Sequence, residues 1–426
     1  MKNDILRCKC IDMSVDGQGI AKSNDLVVFV KEMIKGETAD VKIIAEKKNY
    51  SFGIIDKLIE PSSHRVKSDC PISYKCGGCD YRYIDYEYQL KLKKEVLVNT
   101  FKGYEVKDII PDDDPYYYRN KVQIPVRDKM MGFYRKFSND IVEFDDCLIE
   151  SKLANMIIKD LKKLLIEKHI DSKIRHIVIK YGEGTDELML CFVVNTFDID
   201  LNEIVDYLTH KFPQIKSVLL NLNDKKTNVI LGEKEKLLYG RDHIYDIFDG
   251  IKVKISLKSF YQVNHDQMIK LYKKIYELSK VSKDDDVLDL YCGIGTISLY
   301  IARYAKHVTG VEIVEAAVNN ARDNAKTNNI NNCDFVLADA RKGMDTYIEN
   351  KDIVIVDPPR KGISPELIDS FISHGTKKIV YVSCNPATLA RDLDLLKDHY
   401  NVSPIQPVDM FPFTTHCESL VVLEKK

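Results

Sequence analysis

The chain has no run of about 18 consecutive apolar residues, so no membrane-spanning helix is expected. Its first residues, Met1-Lys2-Asn3-Asp4, lack the apolar core of an export signal. Neither sign of charge dominates, because 63 Lys and Arg face 65 Asp and Glu, for a formal net charge of -2. That balance excludes a globally basic nucleic-acid binder while leaving local basic faces open. Internal repeats and low-complexity segments are also missing. What is left is a 426-residue chain, 30% charged and 45% hydrophobic, with the make-up of a soluble globular protein and room for two or three cores. Eleven cysteines without an export signal point to thiols, metal ligands or catalysis rather than disulfides, and so to the cytoplasm.

Residues 1 to about 60 read as short strands separated by turns, with Asp16-Gly17-Gln18-Gly19 as a turn signal. Apolar runs at 26–30, 39–44 and 51–55 would close a small barrel, which Pro61-Ser62-Ser63 then ends. The Lys and Arg residues scattered through it would suit a phosphate-contacting surface. Residues 61–91 hold a cysteine cluster, and the spacing over 88–98 predicts an amphipathic helix with Lys91, Lys93 and Lys94 exposed. Residues 118–250 read as α+β, with strands over 118–124, 141–144, 174–181, 188–195 and 218–223 and a helix over 153–166. From about 265 onward apolar strands alternate with helices, the pattern of a doubly wound parallel sheet.

Asp286-Val287-Leu288-Asp289-Leu290 runs into Tyr291-Cys292-Gly293-Ile294-Gly295 and then a helix over 297–304. Gly293 and Gly295 let the backbone come close to a ligand while the helix start supplies free N–H donors. Glu312 ends the next strand, about 20 residues beyond the loop, where a carboxylate can accept both hydroxyls of a ribose. The third strand ends at Ala338-Asp339, a position suited to an adenine amino group. The third glycine of a dinucleotide fingerprint is absent, so S-adenosylmethionine fits better than NAD.

Two further strands end in polar turns, Val356-Asp357-Pro358-Pro359-Arg360 and Val382-Ser383-Cys384-Asn385-Pro386. Ligands of open α/β sheets bind at such carboxyl ends, which puts the Cys384 thiol in place for covalent chemistry. Asp-Pro-Pro followed by an aromatic residue would suit an exocyclic amine, but here Arg360 follows. A pyrimidine C5 is a poor nucleophile until a thiolate adds at C6, after which it can take a methyl group. A base must then remove the C5 proton. Glu418, in Thr415-His416-Cys417-Glu418-Ser419 ahead of the terminal strand, is the candidate base. Cys191 and Cys333 read as core residues, Cys292 as a wall of the cofactor loop, and Cys417 as a buried neighbour of the base.

Cys70, Cys76 and Cys79 lie within ten residues, with Gly77 and Gly78 between the last two, and the next cysteine is Cys147. Zinc and iron–sulfur clusters both accept four thiolates. The paired Cys-x-x-Cys knuckles of a zinc ribbon are absent, so the spacing favours a cluster. The five-residue first gap argues against a radical-type loop, and Cys8 and Cys10 read as incidental.

Together these residues resemble the RNA uracil-C5 methyltransferases, in particular the branch that acts on bacterial 23S ribosomal RNA, over essentially the whole chain. The resemblance implies an OB-like TRAM barrel over 1–60 and an iron–sulfur, RNA-binding central domain over 61–91 and 126–258. It further implies a Rossmann-like class I methyltransferase domain over 92–125 and 259–426. Cys70, Cys76, Cys79 and Cys147 would ligate a [4Fe-4S] cluster. Ser259-Phe260-Tyr261-Gln262-Val263-Asn264 resembles the segment whose glutamine, here Gln262, contacts the cofactor. Tyr291, Glu312 and Asp357 would line the S-adenosylmethionine site, with Cys384 as nucleophile and Glu418 as proton acceptor. Tyr118-Arg119-Asn120-Lys121 is similar to the strand near the target RNA, whereas Phe413-Thr414-Thr415 departs from the residues more usual before the histidine. The expected partner is RNA, with the target uridine flipped from a loop and the enzyme a monomer. The rival expectations are a transfer-RNA uridine enzyme, a cytosine-C5 enzyme, and an iron–sulfur RNA-binding or redox-sensing protein with an inactive methyltransferase fold.

Overall fold

The computed structural model describes residues 2–225 and 227–426. Alternating burial along the first strands dictates a closed barrel: β1 (Ile5–Met13), β2 (Gly19–Ser23), β3 (Leu26–Lys31), β4 (Thr38–Glu46) and β5 (Tyr50–Glu60) join in the order β1-β2-β3-β5-β4. Cys8 and Cys10 point inward with Val28, Val30, Val41 and Ile43, so both thiols fill the barrel core.

Helix α1 (Tyr86–Thr100) follows, its start capped by the Asp85 carboxylate, which accepts from Tyr88 N–H at 2.9 Å. The expectation that Lys93 is exposed is wrong. Lys93 is buried, and its Nζ lies 2.5 Å from Asp409 Oδ1 and donates to the Phe411 carbonyl at 3.1 Å. Tyr86 Oη donates to the other Asp409 oxygen at 2.8 Å. The helix is wedged between two layers: Leu92 packs into the barrel core and Leu97 into the core of the C-terminal sheet. A reading that assumes one solvent face therefore misplaces Lys93.

The central layer is a seven-stranded sheet in the order β12-β11-β10-β9-β6-β7-β8, formed by β6 (Lys121–Arg127), β7 (Met130–Tyr134), β8 (Ile141–Glu143), β9 (Ile174–Gly182), β10 (Glu187–Val194), β11 (Ile215–Leu222) and β12 (Lys234–Gly240). One face is covered by α2 (Lys152–Glu167) and α3 (Asn202–Lys211), through Ile157, Leu161 and Leu208. The other face, with Val178, Met189 and Cys191, joins a core shared with the hairpin β13 (His243–Phe248) and β14 (Ile251–Ser256). The strand expected from Tyr118 begins only at Lys121, because Arg119 N–H bonds to the Ile149 carbonyl and Asn120 N–H to that of Val263, both outside the sheet.

The rest is doubly wound, as the alternation predicts. In chain order come α4 (His265–Ser279), β15 (Asp286–Leu290), α5 (Thr296–Ala302), β16 (His307–Glu312), α6 (Glu315–Thr327), β17 (Cys333–Leu337), α7 (Asp345–Ile348) and β18 (Ile353–Val356). Then follow α8 (Pro365–His374), β19 (Lys378–Ser383), α9 (Pro386–Leu396), β20 (Tyr400–Val402), β21 (Gln406–Val408) and β22 (Glu418–Lys425). The sheet order is β17-β16-β15-β18-β19-β22-β20, parallel from β17 to β19, with β22 antiparallel to its neighbours. Among the described residues no helix is long and apolar enough to cross a membrane.

Removing one partner of a buried ion pair strands the other charge. Lys93→Met should therefore cost about 3–5 kcal/mol in guanidinium unfolding, and adding Asp409→Leu should return part of that loss. A single variant within about 1 kcal/mol of wild type would show that the pair does not hold α1 to the C-terminal segment.

Candidate active site

Strand order reverses between β15 and β18, so the crevice at their carboxyl ends is where an open α/β sheet takes its ligand. The chain leaving β15 turns sharply, with φ of 66° at Tyr291, 56° at Gly293 and 82° at Gly295. A Cβ on Gly295 would press into the Phe335 ring at 2.7 Å, whereas one on Gly293 would meet nothing within 4 Å. Gly295 is thus required by packing, and Gly293 borders open space. Gly293 N–H donates to Glu312 Oε2 at 3.1 Å, and the other Glu312 oxygen accepts from the N–H groups of Ile313 and Val314 at 2.9 Å. The loop and the strand-end carboxylate expected to act together are therefore bonded to each other.

Asp339 follows β17, where Arg341 grips it (Nη2 to Oδ2 2.7 Å) and holds its carboxyl down at about 2. Burial, reinforced by that carboxylate, pushes the Tyr291 phenol up to about 12. Gln262 is buried, with its carbonyl accepting from Asn120 Nδ2 at 3.0 Å, and Asn320 of α6 ties the neighbouring Ser259 hydroxyl at 3.0 Å.

The thiol and the proposed base are brought together by strand register. Ser383 of β19 pairs with Ser419 of β22 at the end of the ladder, and continuing that register one step outward carries Cys384 toward Glu418, near enough for the carboxylate to act on the thiol. Directly opposed residues of an antiparallel pair project from the same face. Asp357 ends the adjacent strand. Burial, then the Glu418 and Asp357 carboxylates, raise the Cys384 thiol to about 11, while the Arg360 guanidinium pulls the other way. Burial raises the Asp357 carboxyl to about 7, and burial together with Asp357 holds Glu418 well above the usual range. Glu418 Oε2 is buried without a hydrogen-bond partner. A desolvated carboxyl of this kind is a strong base once ionised, and an unmatched buried oxygen calls for a function. A cavity of about 270 Å³ opens over Cys384, walled by Arg360, Asn385, His416 and Val15 of the barrel.

Cys70, Cys76, Cys79 and Cys147 line a separate cavity of about 270 Å³, with Arg82, Arg119 and Lys121 around it. Burial lifts the Cys79 thiol to about 12, against the pull of Arg82. No group of three or more His, Cys, Asp or Glu among the described residues is drawn in around a single metal ion.

Cys191 and Cys333 are core residues, Cys292 is buried under the Gly293–Gly295 turn, and the Cys417 thiol turns away to donate to the Val408 carbonyl at 3.1 Å. Sequence reasoning passed over two side chains. Asn385 caps α9 and donates from Nδ2 to the Arg360 carbonyl at 2.9 Å, locking the thiol loop to the Asp-Pro-Pro loop. Asp289 is buried in β15 with one oxygen bonded to Ser298 and the other unmatched, and burial raises its carboxyl to about 7. Its signal was visible: a carboxylate interrupting the apolar run Val287-Leu288-Asp289-Leu290.

A family model described as tRNA (Uracil-5-)-methyltransferase matches residues 85–426. An uncharacterized RNA methyltransferase from Bacillus cereus is 39% identical, over 100% of this chain and 97% of that protein. One from Staphylococcus aureus is 38% identical, over 100% of this chain and 99% of its own length. The crystal structure of Pyrococcus abyssi tRNA (uracil-54, C5)-methyltransferase in complex with S-adenosyl-L-homocysteine superposes with a TM-score of 0.81 at 28% identity, covering 98% of this chain and 100% of that one.

The thiol acidity is directly measurable. Iodoacetamide labelling of Cys384, followed peptide by peptide by mass spectrometry, should climb with pH toward about 11. At pH 8 it should run about a hundredfold slower than an unperturbed cysteine, and Arg360→Ala should slow it further. Half-maximal labelling near pH 8.5, about the value of a free thiol, would contradict this electrostatic picture.

Proposed function

The chain belongs to the tRNA (uracil-5-)-methyltransferase family, and within it we propose an enzyme that methylates C5 of a specific uridine in RNA, using S-adenosylmethionine. The observation that carries this reading is Cys384 facing Glu418, whose buried oxygen has no partner, beside the cofactor crevice. Tyr291, Gly293, Gly295, Glu312, Asp339, Asp357 and Gln262 are the proposed cofactor contacts. When bound, S-adenosylmethionine supplies an electrophilic methyl carbon.

Cys384 attacks C6 of the flipped uracil as the thiolate, and the C5–C6 π pair moves toward C5 and the adjoining C4 carbonyl. C5 would then take the methyl group, as the methyl's bond to the sulfonium sulfur breaks and a neutral thioether is left. Glu418 as carboxylate then removes the C5 proton, the double bond re-forms, and the thiolate leaves. Arg360 favours the ionised forms of both Cys384 and Glu418, which is the state the sequence of steps needs.

The target proposed is a uridine of 23S ribosomal RNA, read by a monomer built from a TRAM barrel (1–60), a central domain (61–91 and 126–258) and a methyltransferase domain (92–125 and 259–426). The barrel with its neighbouring thiol-lined cavity supports this target by resemblance. A second reading, transfer RNA, is favoured by the Pyrococcus enzyme, which aligns with this chain over its full length, barrel included.

A [4Fe-4S] cluster suits this cavity better than a lone ion: four cysteines line a space of about 270 Å³, with Arg82, Arg119 and Lys121 outnumbering Asp146 and Glu150. Cys70, Cys76, Cys79 and Cys147 would hold it, and its contribution there would be to cross-link the 70–79 loop to Cys147.

Cys384→Ala should bind S-adenosylmethionine normally yet lose methylation of ribosomal and transfer RNA transcripts by roughly a thousandfold or more. Glu418→Gln should accumulate a covalent protein–RNA adduct that survives denaturing electrophoresis. Full turnover by the alanine variant would sink the mechanism. The anaerobically purified protein should contain iron and acid-labile sulfide in equal amounts, both lost in Cys79→Ser; zinc in place of both would overturn the cluster assignment.

A further inference from the structure

The barrel turn over residues 14–18 has a cavity on each side. Val15 and Asp16 wall the Cys384 cavity, while Gly17 and Gln18 wall another of about 340 Å³. The remaining walls of the second cavity come from the end of β3, the cysteine loop, and the tip of the β7–β8 hairpin. Its lining carries Lys31, Arg65, Arg82, Arg135 and Lys136 against Glu32 and Asp80, although Arg65 also pairs with Glu37 and Arg82 with Asp69. The Arg135 guanidinium is exposed and makes no ion pair among the described residues.

At the rim stands Phe137, 86% exposed, at φ 62°. A bulky residue rarely takes up left-handed backbone, and an apolar ring gains nothing by standing in water. Tyr74 is the second exposed ring, 54% accessible. Lysine ammonium groups lie close to both, Lys136 5.6 Å from the Phe137 centroid and Lys75 5.1 Å from that of Tyr74.

The tip is held in place from beneath. Gly77 N–H donates to the Tyr134 carbonyl at 3.0 Å, and a Cβ at Gly77 would meet Lys136 N at 3.0 Å. Lys136 Nζ bonds to Asp80 Oδ1 at 2.5 Å and to the Asp16 carbonyl at 3.1 Å, while Asp80 Oδ2 accepts from Thr415 N–H at 3.2 Å. One carboxylate thus fastens the hairpin tip and the segment leading to Glu418.

A cationic groove with exposed aromatic rings is the physical recipe for single-stranded nucleic acid, in which bases stack and phosphates find counter-charge. We infer that this cleft is a second nucleobase site: with the target uridine over Cys384, a neighbouring unpaired nucleotide of the same RNA strand crosses the 14–18 turn, stacks on Phe137 and sets its phosphate against Arg135. The inference rests on the RNA-methylation reading above and deepens it.

The test uses Phe137→Gly, which removes the ring and suits the left-handed backbone, so the melting temperature should not fall. On whichever unmodified ribosomal or transfer RNA transcript the wild type methylates, the variant should show KM for RNA raised about tenfold, as loss of one stacked base implies. The kcat and the affinity for S-adenosylmethionine should be unchanged, and Phe137→Trp should keep the wild-type KM. An abasic nucleotide moved through the unpaired positions around the target should cost the wild type about tenfold at one position and cost Phe137→Gly nothing more there. A variant KM within about twofold of wild type would overturn the site. Direct RNA binding is measured in parallel, so that a wild type methylating no transcript counts against the uracil reading alone. Binding that is indifferent to Phe137 counts against the cleft.

Discussion

The proposed reactive centre depends on a single register. Had the last strand added parallel to the sheet, or slipped by one residue against β19, Glu418 would not stand across from Cys384. β22 enters antiparallel instead, and Ser383 opposite Ser419 fixes the next pair outward. Three strand ends then converge, from β18, β19 and β22, carrying Asp357, Cys384 and Glu418. A carboxylate, a thiol and a second carboxyl crowd one poorly solvated edge, where Asp357 raises the proton affinity of Glu418 and both carboxylates raise that of Cys384. Arg360 is the counter-charge that keeps the edge from being purely repulsive.

A strand that opens on the proposed base needs its approach held, and all three layers of the protein hold this one. Helix α1 supplies Lys93, whose buried pair with Asp409 and bond to the Phe411 carbonyl pin the beginning of the segment. The cysteine loop supplies Arg82, with its guanidinium 3.8 Å from the Phe413 ring centroid, and the N–H groups of Asp80 and Tyr81, which both donate to the Phe413 carbonyl. The barrel supplies its turn: a Cβ on Gly17 would strike Thr415 Cγ2 at 2.9 Å, so only glycine lets the turn seat against the segment. Phe413 itself joins Tyr118 and Ile149 in a small core that touches Cys79 and Cys147. The thiol-lined cavity and the Glu418 edge are therefore neighbours through one packed ring.

What could be read in the sequence was the chemistry carried by local pattern. The Gly293–Gly295 turn, Glu312 at a strand end and Cys384 before Asn-Pro each announce themselves within a few residues. The barrel and the doubly wound sheet were legible for the same reason, since period and turn residues are local. What was not legible is long-range. Lys93 lies 316 residues from Asp409, and Tyr118 lies 294 residues from the Pro412 carbonyl it bonds. A helix with two buried faces mimics an amphipathic one when only its own spacing is read. Asn385 was seen as a turn former and not as the brace on Arg360, because its partner belongs to another strand's loop.

The thiol's suppressed acidity at first looks like a poor design for a nucleophile. At neutral pH a thiol raised to about 11 is ionised in only about one molecule in ten thousand. The same burial makes the thiolate, once formed, poorly solvated and so more reactive toward a carbon held in the cavity. It also keeps the resting thiol from oxidants and alkylating agents, which attack the thiolate form. Two of the groups that suppress it, Asp357 and Glu418, lie beside the crevice where a cation would bind. Positive charge arriving there lowers the proton affinity of all three at once, by Coulomb's law at short range in a low dielectric. The proposed nucleophile would therefore gain acidity when positive charge enters the crevice, a coupling that follows from the charges of three strand ends.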